Sequence, residues 1–190
     1  GSSIIPAGRR LRPQDLALAT AVGLRTLKVR RTLRVGVFST GNELVEPGAS
    51  LRPGAIYDSN RILLLALLRR MGVAARDLGV IRDDPAALAA RLSAAAAEHD
   101  VILTSGGVST GDEDHVKTAV ETVGRLVFWR LGIKPGRPVA MGMIDGKPFL
   151  GLPGNPVAVY VTLVFVVRPL LARLAGEAYA PPRGFTVRAA

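Results

Sequence analysis

Ser105-Gly106-Gly107-Val108-Ser109 lies between an apolar run, Val101 to Thr104, and a helical pattern, and Gly111-Asp112-Glu113-Asp114 follows at once. Paired glycines let a backbone approach a ligand closely. Free N–H groups at a helix start favour an anion such as a phosphate. An ordinary strand-to-helix turn would use the same glycines. The acidic cluster adds a second signal, because carboxylates beside a phosphate repel it unless a divalent cation bridges them. Oxygen donors of this kind suit magnesium. Asp112 and Glu113 would equally complement the positive end of a helix dipole.

Other residues carry similar double readings. In Asp83-Asp84-Pro85, Asp84 fits a helix N-cap and Pro85 the first helical position. Asp83 is then free to face a crevice. Glu43 follows Thr40-Gly41-Asn42 at the end of an apolar run. A carboxylate there could hold a metal or orient water, or it is a solvated loop charge. Lys134-Pro135-Gly136-Arg137-Pro138 is a rigid basic turn, with Arg130 four residues earlier. Prolines present its cation at low entropic cost, for a second anion or simply at the surface. Gly151-Leu152-Pro153-Gly154-Asn155-Pro156 opens an apolar helical run, and its N–H groups face any anion or merely start a helix.

These residues need a scaffold, and the pattern supplies one. Strands are expected at 33–38, 73–80, 101–104 and 126–129. A hairpin, 139–143 with 148–150, turns at Asp145-Gly146. Helices are expected at 14–23, 61–71, 85–99, 114–123 and 157–174, with Asp58-Ser59-Asn60 starting the second. Strands alternating with helices predict an α/β fold: three layers, a mostly parallel sheet with helices on both faces. In such sheets ligands bind beyond the carboxyl ends of the strands, where loops 39–43, 105–114 and 151–156 should meet.

Composition narrows the function classes. The 190 residues have no cysteine, which excludes disulfides, thiolate metal sites and a cysteine nucleophile. His99 and His115 fit no zinc spacing. Net charge is +10, but residues 1–34 hold eight basic side chains against Asp15 alone, so the body beyond them is nearly balanced. Without a basic face or interleaved aromatics, nucleic acid is not expected as a partner. The longest apolar run, Val157 to Val167, is short of the roughly 20 residues of a membrane span. With no signal peptide visible, a cytoplasmic protein is expected. The chain starts Gly1-Ser2-Ser3 and its first methionine is Met71. Residues 1–3 read as a cloning scar and the chain as a piece of a longer protein. The expected organisation is a linker or the end of a preceding domain to residue 32, the α/β domain over 33–175, and a linker into a truncated further domain over 176–190.

Taken together, five motifs resemble one family. Ser39-Thr40-Gly41-Asn42-Glu43-Leu44, Ile56-Tyr57-Asp58-Ser59-Asn60, Ser105 to Ser109 with Gly111 to Asp114, Lys134 to Pro138, and Gly151 to Pro156 occur in the order seen in molybdopterin molybdenumtransferases. These are the bacterial relatives of the gephyrin E domain. The resemblance covers roughly residues 4–180. It implies magnesium-dependent insertion of molybdate into adenylylated molybdopterin with release of AMP. It implies catalytic roles for Glu43, Asp83, Asp114, Lys134 and Arg130. Asp114, Glu43 and Asp83 would be the metal ligands, and Lys134 would attract molybdate. Thr40, Gly41, Ser59, Asn60, Ser105, Gly106, Gly107, Ser109, Pro153, Gly154, Asn155 and Pro156 would hold or shape the molybdopterin site. Asn42 stands where many relatives have Asp, and Arg130 where they often have Lys. The resemblance further implies a homodimer in the full-length protein and contact with molybdopterin adenylyltransferase. Three alternatives remain at this point: an adenylyltransferase of the same fold, a competence-damage-type domain, and a non-catalytic scaffold role like that of gephyrin.

Overall fold

A computed structural model describes residues 3–108, 115–181, 184 and 186, with Phe128 and Trp129 described by their backbone only. Two compact units are present: residues 32–167, and residues 1–31 with 168–190.

In the first unit, strand β1 (Arg34–Thr40) is buried from Val35 onward and β5 (Val101–Ser105) along its whole length. Near-continuous burial is expected where helices cover both faces of a sheet. With β4 (Ala74–Ile81), β6 (Gly124–Arg130), β7 (Pro138–Ile144) and β8 (Lys147–Leu152), they form a six-stranded sheet in the order β4-β1-β5-β8-β7-β6. β4, β1, β5 and β8 pair in parallel, and β7 pairs antiparallel with both β8 and β6. Helix α2 (Ser59–Arg70) packs on β4, β1 and α5 (Pro156–Thr162), while α3 (Pro85–Glu98) packs on α4 (His115–Val123), β5 and β7. The two helix pairs cover opposite faces, so the expected three-layer α/β fold is present. Phe38, Ile102 and Phe149 belong to one core with Leu88, Leu92, Val116 and Val120.

Most boundaries follow from local chemistry. Asp58 caps α2 through Arg61 N, and Asp84 caps α3 through Ala87 N with Pro85 at its start. Two differences from expectation have physical causes. Segment 41–57 carries a two-strand parallel pair, β2 (Leu44–Val45) and β3 (Ile56–Tyr57), too short to leave a periodic signal. The expected helix 157–174 is present as a continuous segment, but a π turn (Leu163–Val167) interrupts its α geometry between α5 and α6 (Arg168–Leu174). Pro169 cannot donate to a carbonyl one turn back and its ring crowds that turn, and Thr162 Oγ1 donates back to Ala158 O at 2.8 Å.

The helical segment Pro156–Leu174 spans 19 residues with a mean hydropathy of 1.9, so length and composition alone admit a membrane crossing. Within residues 32–167 the segment behaves as a core helix, with Ala158, Val159, Thr162, Leu163 and Val167 buried.

In the second unit, α1 (Pro13–Ala21) buries Asp15 and Ala19 while Leu16 and Leu18 are exposed. Ala178 N donates to Gly8 O at 2.8 Å. An open cleft of about 490 Å³ in this unit is lined by Arg9, Arg10, Arg12 and Glu177 among others.

Candidate functional site

Strand register sets where the loops emerge. Thr40 lies opposite Ile81, Ser39 opposite Ser105, and Ser105 opposite Leu152. The carboxyl ends of β4, β1, β5 and β8 therefore stand side by side, and segments 82–84, 41–43, 106–108 and 153–155 leave at one edge. β7 runs the other way, so its first residue, Pro138, and the facing end of β6, Arg130, reach the same edge. The turn 131–137 with Lys134 is thus placed there too. In this sheet β4 lies on one side of β1 and β5 on the other, a switch point of the kind beside which open α/β sheets bind ligands.

Close backbone packing explains the paired glycines. Gly106 has φ of +85°, and a Cβ there would stand 2.5 Å from Thr40 O. Gly107, at φ of +67°, packs on Thr40 Oγ1 and Val116. These glycines let the β5 loop lie against the end of β1. Ser105 is buried, and its hydroxyl donates to Pro153 O at 3.3 Å, while Gly106 N donates to Leu152 O at 3.2 Å. Asn60 Nδ2 donates to Gly154 O at 2.6 Å. Asn155 Oδ1 caps α5 by accepting from Val157 N at 2.9 Å and Ala158 N at 3.2 Å, with Pro156 in the first turn. Ser59 is exposed at the start of α2. The 153–156 loop is therefore tied to both the β5 loop and α2. Thr40 Oγ1, Thr104 Oγ1 and Asn60 Oδ1 are buried without a hydrogen-bond partner among the described residues.

The charged candidates sit further out. Glu43 is exposed, and its carboxylate lies over Gly41, where a Cβ would come within 2.7 Å of Oε2. Asp83 is half-buried, and its Oδ2 accepts from Asn42 N at 3.1 Å, so it braces the β1 loop rather than standing free. Lys134 and Arg130 are exposed, and Gly136 packs the basic turn against Thr162 of α5. Ser109, Asp112, Glu113 and Asp114 lie outside the described residues. Among the described residues no three carboxylate or histidine side chains form a metal cluster. Glu43 and Asp83 nevertheless offer hard oxygen donors on either side of Asn42. Magnesium typically takes one or two carboxylates and completes its shell with water and substrate phosphates. The donor chemistry fits that ion.

Sequence reasoning missed a buried hub beside this edge. Arg61, 2% exposed, donates through Nε to Asp58 Oδ2 at 2.7 Å, through one terminal nitrogen to Glu46 Oε2 at 2.5 Å, and through the other to Asp77 Oδ1. Ser39 Oγ donates to Asp58 Oδ1 at 3.1 Å. Burial pulls the guanidinium pKa down, but the three carboxylates outweigh it and hold the group above its ordinary value. The three-residue spacing of Asp58 and Arg61 was the one signal available.

The model of the family described as "Probable molybdopterin binding domain" matches residues 36–173. The chain belongs to this family. A molybdopterin molybdenumtransferase of Haemophilus influenzae is 42% identical over 93% of this chain and 44% of its own length. One of a Nostoc species is 38% identical over 94% of the chain and 42% of its own. A solved molybdopterin biosynthesis MoeA protein from Pyrococcus horikoshii superposes with a TM-score of 0.80 at 38% identity, covering 91% of this chain and 43% of that one. The chain thus spans less than half the length of these relatives.

Proposed function

We propose that this domain binds adenylylated molybdopterin and serves the magnesium-dependent insertion of molybdate into it, with release of AMP, as part of a cytoplasmic homodimeric transferase that contacts molybdopterin adenylyltransferase. The observation that supports the reading is convergence: among the described residues, Gly41–Glu43, Gly106–Val108, Lys134 and Pro153–Asn155 leave one edge of one sheet, and Asn60 is tied to Gly154 there.

The chemistry brings two anions together, molybdate and a pyrophosphate-linked substrate, so repulsion must be offset. Lys134 and Arg130 recruit molybdate from the rim, where an exposed cation captures an anion by long-range attraction. The loops at 105–108 and 153–156 are held by the Ser105–Pro153, Asn60–Gly154 and Asn155 contacts, so their backbone dipoles are preorganised at low reorganisation cost. Glu43, Asp83 and Asp114 hold magnesium, which neutralises phosphate charge when bound. Thr40 and Gly41 at the end of β1 and Ser59 at the start of α2 complete the site in this reading.

Calorimetric titration of the chain with AMP, ADP, molybdopterin and molybdate, with and without magnesium, tests the reading. Magnesium-dependent binding is expected, abolished in Asp114→Asn and weakened about tenfold for molybdate in Lys134→Ala, the loss of one charge-assisted contact. Undiminished binding in Asp114→Asn would remove that residue from the site. A full-length protein that bound none of these ligands would sink the reading altogether.

A further inference from the structure

Segment 41–57 leaves the end of β1 and returns to α2 without joining the main sheet. Its strands β2 and β3 pair only with each other, closed by Ile56 N to Glu43 O at 2.9 Å and Asp58 N to Val45 O at 3.0 Å. Its outer residues Leu51, Ile56 and Tyr57 are exposed. Besides the Asp58 N to Val45 O bond at its return to α2, two ties through side chains join it to the body among the described residues. One is Asn42 N to Asp83; the other is Glu46 to Arg61. The β-ladder therefore does little to hold the loop that presents Glu43, and side chains must do it.

Arg61 is built for that task. It rises from the first turn of α2 and is 2% exposed. Its planar fork reaches three carboxylates from three different elements at once, which a lysine ammonium on a flexible stem would not hold in one geometry. Asp58 fixes it from the helix cap, and Ser39 Oγ fixes Asp58. Asp77 is aimed at it by a bulge in β4: Val37 faces Asp77 but Ser39 faces Val80, and Gly79, at φ of +78°, donates to Asp77 Oδ1 at 2.8 Å. Bulges commonly re-aim a side chain in this way. The inner anchor is thus braced from two sides, while Glu46, with 55% of its side chain exposed, is the outer end.

We propose that Arg61 is a positioning residue, which through Glu46 holds segment 41–57, and with it the Gly41–Glu43 loop, against the carboxyl edge of the sheet. Glu43 stands three residues before Glu46, so the tether limits where its carboxylate can point relative to Asp83. The consequence for ligand rests on the function proposed above; the tether itself does not.

The test uses the whole chain and its Glu46→Ala, Glu46→Gln and Arg61→Lys variants. Hydrogen exchange by mass spectrometry should show residues 41–57 exchanging about tenfold faster in Glu46→Ala, with β1 and β5 unchanged and the urea midpoint kept. Glu46→Gln retains an acceptor oxygen and should recover most of the protection. Arg61→Lys should loosen the same segment and also lower the midpoint. Magnesium-dependent AMP affinity should fall severalfold in Glu46→Ala and return in Glu46→Gln. Unchanged exchange at 41–57 in Glu46→Ala, or a rise spread evenly over β1 and β5, overturns the proposal. A wild-type chain that bound no AMP would count against the functional reading, and exchange would still judge the tether.

Discussion

At the scale of single residues, the tightest constraint is at Gly106. An alanine there would set its Cβ 2.5 Å from the Thr40 carbonyl oxygen and hold a side chain at φ of +85°. The neighbour is backbone and cannot swing away. Gly106→Ala should therefore destabilise the fold by roughly 1–3 kcal/mol, read from urea unfolding, and should disturb the β5 loop before the core. Asp15, in the other unit, governs a pH response. Burial pushes its carboxyl up, but hydrogen bonds from Arg12 and Arg9 outweigh that and hold it below the ordinary 3.8. A lowered folded pKa means its stabilisation is complete above pH 3.8 and is lost as the pH falls through the lower folded value. Acid unfolding followed by circular dichroism should show that loss in the wild type, and Asp15→Asn should remove that part of the pH dependence.

At the scale of elements, caps and ion pairs decide how the edge is held. Asn155 satisfies two N–H groups at the start of α5, so Asn155→Ala should cost about 1 kcal/mol, measurable by thermal or urea unfolding. The Arg61 hub is far more expensive to break from inside. Arg61→Met would leave Asp58, 1% exposed, as an uncompensated buried charge, and should cost about 3–5 kcal/mol in the same assay. Caps of this kind are legible in sequence, because Asp84-Pro85 and Asn155-Pro156 are local signals. The hub was not, because Glu46 and Asp77 lie 15 and 16 residues from Arg61 and only the fold brings them to it. The π turn had a local signal in Pro169, yet its effect depends on how a β-branched helix relieves crowding.

At the scale of the whole molecule, the large hydrophobic core lies within residues 32–167. A chain cut to those residues should keep one cooperative urea transition, since both helix pairs and all six strands of the sheet remain. A broad, non-cooperative transition would show that the flanking unit is needed for folding.

The sequence by itself determined the α/β class, the strand and helix order, and the family, because apolar periodicity, caps and the five motifs are written in short local stretches. It also marked the glycines, since φ and close approach exclude other residues there. Tertiary structure decided which loops share an edge. It turned the Ser105 and Asn60 side chains into ties between loops and set Asp83 against Asn42. It also assembled three carboxylates around Arg61. Those outcomes depend on strand order and crossovers, and residues far apart in the chain carry no local mark of where the sheet will set them side by side.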